Sequence, residues 1–307
     1  MSVKQLLILP HIKVINANAW SSPYTAGFPS VCAFGGAVHA LQRKLNEKGF
    51  TSLNISSFGV ICHKFTMRTY REGNFGDLSI VAGANPLDKD GERPSFVPEI
   101  KCQMEISLLC ELDCSSDAAE QLSQVSGQIL NSGFRIAAGD VVSSGTPFTA
   151  KAGTREDDAD FRRYLIRKLM PGYALIERRE LMVNSMQDGH DALDALLDCL
   201  AVHTEVNPDN GEIKRSRTEK GWLVPISTGY AAISDIGRAV NQRDASTPHR
   251  FAEAVVTLGE FRMLHRLKSL ELLLWQGSYD KDSGLDCYQQ QTASIKDTDT
   301  DFDLMQI

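Results

Sequence analysis

The chain opens on alternation. Across residues 4–16, Leu6, Ile8, Pro10, Ile12 and Val14 fall on one side and Leu7, Leu9, His11 and Lys13 on the other, the period of a β-strand. Pro10 inside it implies a sheet edge or a bulge. The pattern then breaks into a polar loop, residues 16–30. There Pro23, Gly27 and Pro29 set turns, and Asn16, Asn18, Ser21, Ser22, Tyr24 and Thr25 supply short polar groups, none a strong acid or base. Ser30 is placed as a helix N-cap. The stripe Phe34, Ala37, Val38, Leu41 and Leu45 that follows has the i, i+3, i+4, i+7 spacing of a buried helix face. Gly35 and Gly36 cost that helix about 1 kcal/mol each relative to Ala, which implies that another backbone or a ligand comes close. Gly49 ends it as a left-handed cap.

Alternation returns over 58–70, with Ile61, Phe65 and Met67 on one face and Lys64, Thr66 and Arg68 on the other. Residues 71–97 are rich in Gly, Pro, Asn and Asp and read as a long excursion. The clearest strand is 100–112. Ile100, Cys102, Met104, Ile106, Leu108, Cys110 and Leu112 alternate with Lys101, Gln103, Glu105, Ser107 and Glu111, which predicts one buried and one wet face. A helix over 117–131, a short fourth strand over 134–138 and a small-residue loop over 139–145 follow. Strand, helix, strand, strand, helix, strand is the ferredoxin-like βαββαβ arrangement of an α+β protein, both helices on one face of a four-stranded sheet. RNA-recognition modules share it but stack bases on aromatic residues of the central strands. The wet face of 100–112 has none.

The second half reads as mainly helical. A basic helix spans 157–169, where Arg162, Arg163, Arg167 and Lys168 interleave with Phe161, Leu165, Ile166 and Leu169. Residues 191–201 form a helix with Leu193, Leu196, Leu197 and Leu200 as its core face. A polar excursion occupies 207–220, a short buried strand 222–226 and a long helical region 247–275. The predicted organisation is a ferredoxin-like unit at 1–150 with the excursion 71–97, a helical or mixed region at 151–285 packed on it, and a disordered acidic tail at 286–307.

Composition narrows the class. The 307 residues, 42% hydrophobic and 23% charged, are those of a soluble globular protein; no apolar run spans a bilayer, and the N-terminus carries no secretion signal. Seven scattered cysteines form no C-x-x-C pair, which argues against zinc ribbons and redox sites and for a reducing cytoplasm. Cys102 and Cys110 sit on an apolar phase as small hydrophobes. The net charge of −7 hides a pattern: residues 1–110 carry 11 Lys+Arg against 8 Asp+Glu, and 161–270 carry 16 against 14, while the acid concentrates in 111–160 and 271–307. Local basic patches therefore stay compatible with an acidic sum. No P-loop and no paired Asp/His metal signature occurs, and the sequence calls for no cofactor and no metal.

Seven ordered blocks then carry a resemblance. They are Asn16-Ala17-Asn18-Ala19 with Ser21-Ser22-Pro23, Gly27-Phe28-Pro29-Ser30, Val38-His39-Ala40-Leu41-Gln42-Arg43, Gly59-Val60-Ile61-Cys62-His63, Pro171-Gly172-Tyr173-Ala174-Leu175, Gly221-Trp222-Leu223-Val224-Pro225-Ile226 and Leu258-Gly259-Glu260. Over roughly residues 4–285 the chain resembles the Cas-five-type subunit of the type I-F (Csy) CRISPR surveillance complex, within the RAMP superfamily. The resemblance implies a ferredoxin-like fold and a non-catalytic role in antiviral defence. It implies a subunit that holds the 5′ handle of the guide RNA, pairs with the large subunit at the complex tail and contacts the backbone subunit, with indirect contact to target DNA left open and no membrane. It also implies a thumb-like hairpin at 71–97 and a glycine-rich loop at 139–145.

The candidate residues keep two readings each. Asn16, Asn18, Ser21 and Ser22 are turn-capping groups or contacts to RNA or a partner. Arg162, Arg163, Arg167 and Lys168 are a solvated helix face or a phosphate-binding one. Lys13, Lys64 and Arg68, with His11 on the same wet phase, form a second patch or serve solubility. His39 and Arg43 lie on the polar side of the first helix, in reach of RNA. His39 is also the residue a metal-independent RAMP endoribonuclease would use as general acid or base, the alternative reading. His63 reads as a satisfied core histidine.

Overall fold

The computed structural model describes residues 5–73, 76–84, 86–113, 119–151, 158–208, 210–242, 244, 246–267 and 269–290. The chain starts with β1 (Gln5–Asn18), a small hairpin of β2 (Trp20–Ser22) and β3 (Thr25–Ala26), then α1 (Val31–Glu47) and β4 (Ile55–Met67). Two short ladders follow, β5 (Thr69–Arg71) with β6 (Leu78–Ile80) and β7 (Ala82–Ala84) with β8 (Phe96–Pro98). Next come β9 (Lys101–Leu112), α2 (Ala119–Leu130), β10 (Arg135–Ile136), β11 (Gly139–Ser143) and β12 (Phe148–Lys151). The second half holds α3 (Asp158–Leu169), β13 (Tyr173–Glu177), α4 (Arg179–Gln187), α5 (Ala192–Leu200) and a hairpin of β14 (His203–Val206) and β15 (Ile213–Ser216). It ends on β16 (Leu223–Ala232), β17 (Ala252–Met263), β18 (Trp275–Asp280) and β19 (Leu285–Gln290).

The protein is mixed α+β. Its eleven-stranded antiparallel sheet runs β10-β11-β1-β9-β4-β13-β17-β16-β19-β18, with β12 also on β1. Trp275 of β18 pairs back with Phe58 of β4, so β4, β13, β17, β16, β19 and β18 close a ring of pairings. The fully buried Trp275 indole donates to the Leu175 carbonyl at 3.2 Å. The buried Gln290 amide bridges the Leu175 and Leu273 carbonyls.

Helices α1 and α2 pack Phe34, Leu41, Leu45, Leu122 and Ile129 against Leu7, Ile12, Ile106 and Leu108 on one face of the sheet. Ser30 caps α1 as expected: its hydroxyl accepts from the Cys32 amide at 3.2 Å and donates to the Ser227 carbonyl at 2.9 Å, pinning the helix start to β16. The other, outer face is covered over only half its extent. There Phe161, Leu165 and Leu169 of α3 cover Leu6, Ile8, Ile61 and Leu109, each buried side chain contributing about 1.5–3 kcal/mol.

Two bulges in β1 overturn the simple alternation. The register shifts between Leu9 and Ile12 and again between Val14 and Ala17, and the extra residues, His11 and Asn16, adopt φ of 49° and 55°. Each bulge advances the phase by one. The inward set is therefore Leu7, Leu9, Ile12, Val14, Ala17 and Ala19, while Leu6 and Ile8 face α3. Pro10 marks the bulge and not an edge, because β9 and β11 with β12 flank β1. In β4 a shift between Cys62 and Lys64 sends Ile61 to the outer face, against the prediction that it shares a face with Phe65 and Met67. On β9 the wet face is interrupted: Ser107 and Leu109 are buried under the covered half, between the partly exposed Glu105 and Glu111.

The second half is not mainly helical: β13, β16, β17, β18 and β19 join the sheet. The expected helix at 247–275 is β17, two 3-10 turns and the start of β18. Strand β17 has buried residues on both faces between Leu258 and Phe261, and its run of Val255, Val256 and Thr257 suits a pleated surface. Helix α5 turns Ala195, Leu196 and Cys199 inward and leaves Leu193 and Leu197 exposed. The small-residue stretch 139–145 is mostly β11, and the 207–220 excursion holds the loop and second strand of the exposed β14–β15 hairpin. Residues 286–290 are strand; the remainder of the expected disordered tail lies outside the described residues.

Candidate nucleic-acid interface

The predicted site residues separate into four places. Asn18 and Ser21 line a cleft of about 580 Å³ beside the start of α1. One wall is the β2 strand with Trp20; the floor is the α1 face made of Cys32, Ala33, Gly36, Ala37 and Ala40. The tight β10–β11 turn supplies Arg135, Ala137 and Ala138, and β16 supplies Tyr230. The side chain of Asn18 clasps the Trp20 backbone, accepting from its amide at 3.1 Å and donating to its carbonyl at 3.0 Å, so it sets the turn that presents the indole. Ser21 shares a 2.8 Å hydroxyl contact with Thr25. Ser22 is buried, bonds the same Thr25 hydroxyl at 2.7 Å and accepts from the Tyr24 amide; it holds the hairpin, the turn-capping one of its two readings, and is not among the residues lining the cleft. Asn16 is exposed on the second bulge. Arg135 and Tyr230 were missed because they come from distant segments, and Trp20, inside the loop itself, was passed over for its small polar neighbours.

The open half of the outer face gathers the second group. Register places Lys13, Glu105 and Lys64 in one row across β1, β9 and β4. Gln103 and Thr66 form the next row, and Asn18 and Lys101 the one after, beside Arg68, whose amide bonds the Lys101 carbonyl at 2.8 Å. Their side chains share one face because directly opposed residues do. Glu105 offsets part of the charge.

A polar seam separates this open half from the covered one. The His11 and His63 rings stack with centroids 4.2 Å apart, each at a bulge. His11 donates through Nδ1 to Glu105 at 2.8 Å. His63 donates through Nδ1 to the Pro171 carbonyl at 2.7 Å, which leaves its Nε2 to accept from the buried Ser107 hydroxyl at 2.6 Å. Ser107 in turn accepts from the His11 amide at 3.0 Å. His63 is thus half-buried at a seam, not a core histidine. Burial pushes its pKa below the ordinary 6.5, the Pro171 bond opposes that, and His11 pushes the same way. The Pro171 link also brings the end of α3, with Arg167 and Lys168 exposed, to the border of the open half.

The remaining candidates stand apart. Arg162 is half-exposed on α3, and Arg163 is exposed and paired with Asp160. His39 and Arg43 are exposed on α1. The buried thiols are inert: burial pushes Cys62 and Cys110 up to about 12 and Cys102 to about 11. Among the described residues no group of three His, Cys, Asp or Glu is placed to hold a metal, and no helix is long and apolar enough to cross a membrane.

Fold and surfaces together define an α+β protein with a large antiparallel sheet, one cationic open face and one aromatic-lined cleft. A family model described as CRISPR-associated protein (Cas_Csy2) matches residues 7–289. The CRISPR-associated protein Csy2 of Pseudomonas aeruginosa (strain UCBPP-PA14) is 32% identical, over 91% of this chain and 93% of its own length. The chain belongs to the Csy2 family of type I-F CRISPR systems.

Proposed function

We propose that this chain is a non-catalytic RNA-binding subunit of the type I-F CRISPR surveillance complex, working in the cytoplasm. In this reading it holds the 5′ handle of the guide RNA, pairs with the large subunit and touches the backbone subunit. Its first half is a RAMP unit of ferredoxin-like type. The family supports the complex. Strand order supports the fold: β11, β1, β9 and β4 stand in the order fourth, first, third, second, with α1 and α2 on one face. The fourth place is taken by β11 and not by the strand expected at 134–138, which is the edge strand β10 outside it.

The observation that carries RNA binding is the open half of the outer face. Lys13 and Lys64 share one row there, and Lys101 beside Arg68 stands two rows on, past the neutral Gln103–Thr66 row, with the basic end of α3 at the border. Such a surface suits phosphates and gives a salt-dependent, sequence-tolerant contact. The full-length chain, purified with the complex subunits that accompany it, is titrated with guide RNA carrying an intact or a scrambled 5′ handle. Handle-dependent retention of intact RNA is expected. Equal retention of both would reduce the role to nonspecific charge contact. Shortened RNA would favour the endoribonuclease reading and direct attention to His39.

A further inference from the structure

Gly35 and Gly36 adjoin on α1, yet they serve different ends. A Cβ on Gly35 would strike the Tyr288 ring at 2.3 Å, so its smallness is required by packing. A Cβ on Gly36 would meet nothing within 4 Å, because Gly36 faces the cleft. The helix gives up stability there for empty space. The whole cleft floor is equally small, from Cys32 through Ala40.

The walls are unlike the floor. Trp20 and Tyr230 are 45% and 49% exposed, large rings left in water at the same opening. Arg135 adds a guanidinium whose Asp140 partner lies 3.2 Å away on the surface. The first turn of α1 carries no acidic residue, so its amide end keeps a favourable field for a negative group. A volume of about 580 Å³ lies within the roughly 300–1,000 Å³ usual for pockets that enclose a small ligand. Flat π-faces, one cation and little other charge match an aromatic ring carrying a phosphate. Single-strand binding proteins use this combination of stacking surface and cation.

We propose that the cleft seats one unpaired nucleobase of the bound RNA, stacked on Trp20, with Tyr230 as a second aromatic wall and the adjoining phosphate toward Arg135. This rests on the RNA-binding reading and deepens it: the outer face holds backbone, and the cleft takes a base.

Three variants test it in the full-length chain. Trp20→Ala removes the stacking ring, and Trp20→Phe restores an aromatic face. Gly36→Leu fills the cleft from its floor at a position where the new side chain meets open space and the helix gains a better former. Guide-RNA affinity is measured for each, together with RNAs abasic at single positions of the handle. Trp20→Ala and Gly36→Leu are expected to weaken binding about ten- to hundred-fold, with Trp20→Phe close to the parent. One abasic position should give the same loss and add nothing to Trp20→Ala.

Parent binding with no loss in either variant would overturn the cleft proposal and leave the RNA reading standing. Failure of the parent to bind RNA would overturn both. Nucleoside monophosphates are the last arm. If they bind the cleft as tightly as the RNA does, the cleft serves a free nucleotide and the proposal falls.

Discussion

The cleft beside α1 is walled by Trp20 and Tyr230 and carries the guanidinium of Arg135, whereas the open outer face presents Lys13, Lys64, Lys101 and Arg68 with no Phe, Tyr or Trp in its rows. The first is a half-open cleft that depends on four segments meeting; the second is flat and depends only on strand register. Stacking on a ring is insensitive to salt, while phosphate contacts release counterions and weaken as salt rises. One sheet therefore offers a place for bases and a separate place for backbone, and the two respond to different perturbations.

The largest effect should come from Gly139. Its Cβ would lie 2.6 Å from the Ile15 carbonyl oxygen and 2.7 Å from the Ala17 backbone, so any side chain there parts β11 from β1. The β10–β11 turn that walls the cleft would go with it. Gly139→Val is expected to cost on the order of 3 kcal/mol, read as a lower denaturant midpoint at unchanged slope. Lys13→Ala, on the open face, should stay within about 0.5 kcal/mol of the parent. Equal midpoints for the two variants would erase the structural contrast between the regions.

A smaller change should separate the two by their response to salt. Neutralising Lys13, Lys64 and Lys101 together is expected to flatten the log–log dependence of RNA affinity on salt by about 0.7 per lost phosphate contact. Trp20→Ala should lower affinity at every salt concentration and leave that slope alone. A flattened slope for Trp20→Ala, or an unchanged one for the triple variant, would reverse the assignment of roles.

What the sequence disclosed about these regions follows from how local each feature is. The cap at Ser30, the α1 stripe and the strand at Lys101–Leu112 depend on neighbours in sequence, and periodicity found them. The cations Lys13 and Lys64 were grouped correctly although the strand phases around them were not, because the bulges at His11 and His63 shift both strands. Strand β17 was mistaken for helix because a strand buried on both faces loses its period of two. The cleft was half legible. Asn18 and Ser21 stood out in a loop dense with small residues, but Arg135 and Tyr230 reach it only through tertiary packing. The lone Trp20 among small polar residues was the available signal.

The smallest effect concerns the seam where the open half of the outer face meets the covered half. His63 links β4, the Ser107 hydroxyl of β9 and the Pro171 carbonyl after α3. Its pKa lies below the ordinary 6.5 chiefly because burial disfavours the cation. The groups around it are Glu105 and Ser107 on β9, His11 on β1 and the Pro171 carbonyl, with Lys64 next along β4. As pH falls below 6.5 the unfolded chain takes up the proton first, so the unfolded state binds more protons and stability declines. The decline ends once pH drops below the folded-state pKa. Protonation also turns Nε2 from acceptor to donor, which forces the buried Ser107 hydroxyl to surrender its present bond. Acid should therefore loosen the end of α3 from the sheet before it reaches the cleft. Unfolding midpoints followed from about pH 7.5 to 5, with amide exchange in α3 as the local probe, are expected to show this loss in the parent and a reduced loss in His63→Gln. An identical acid response in the two proteins would mean that the border between the open and covered halves is held by apolar packing alone.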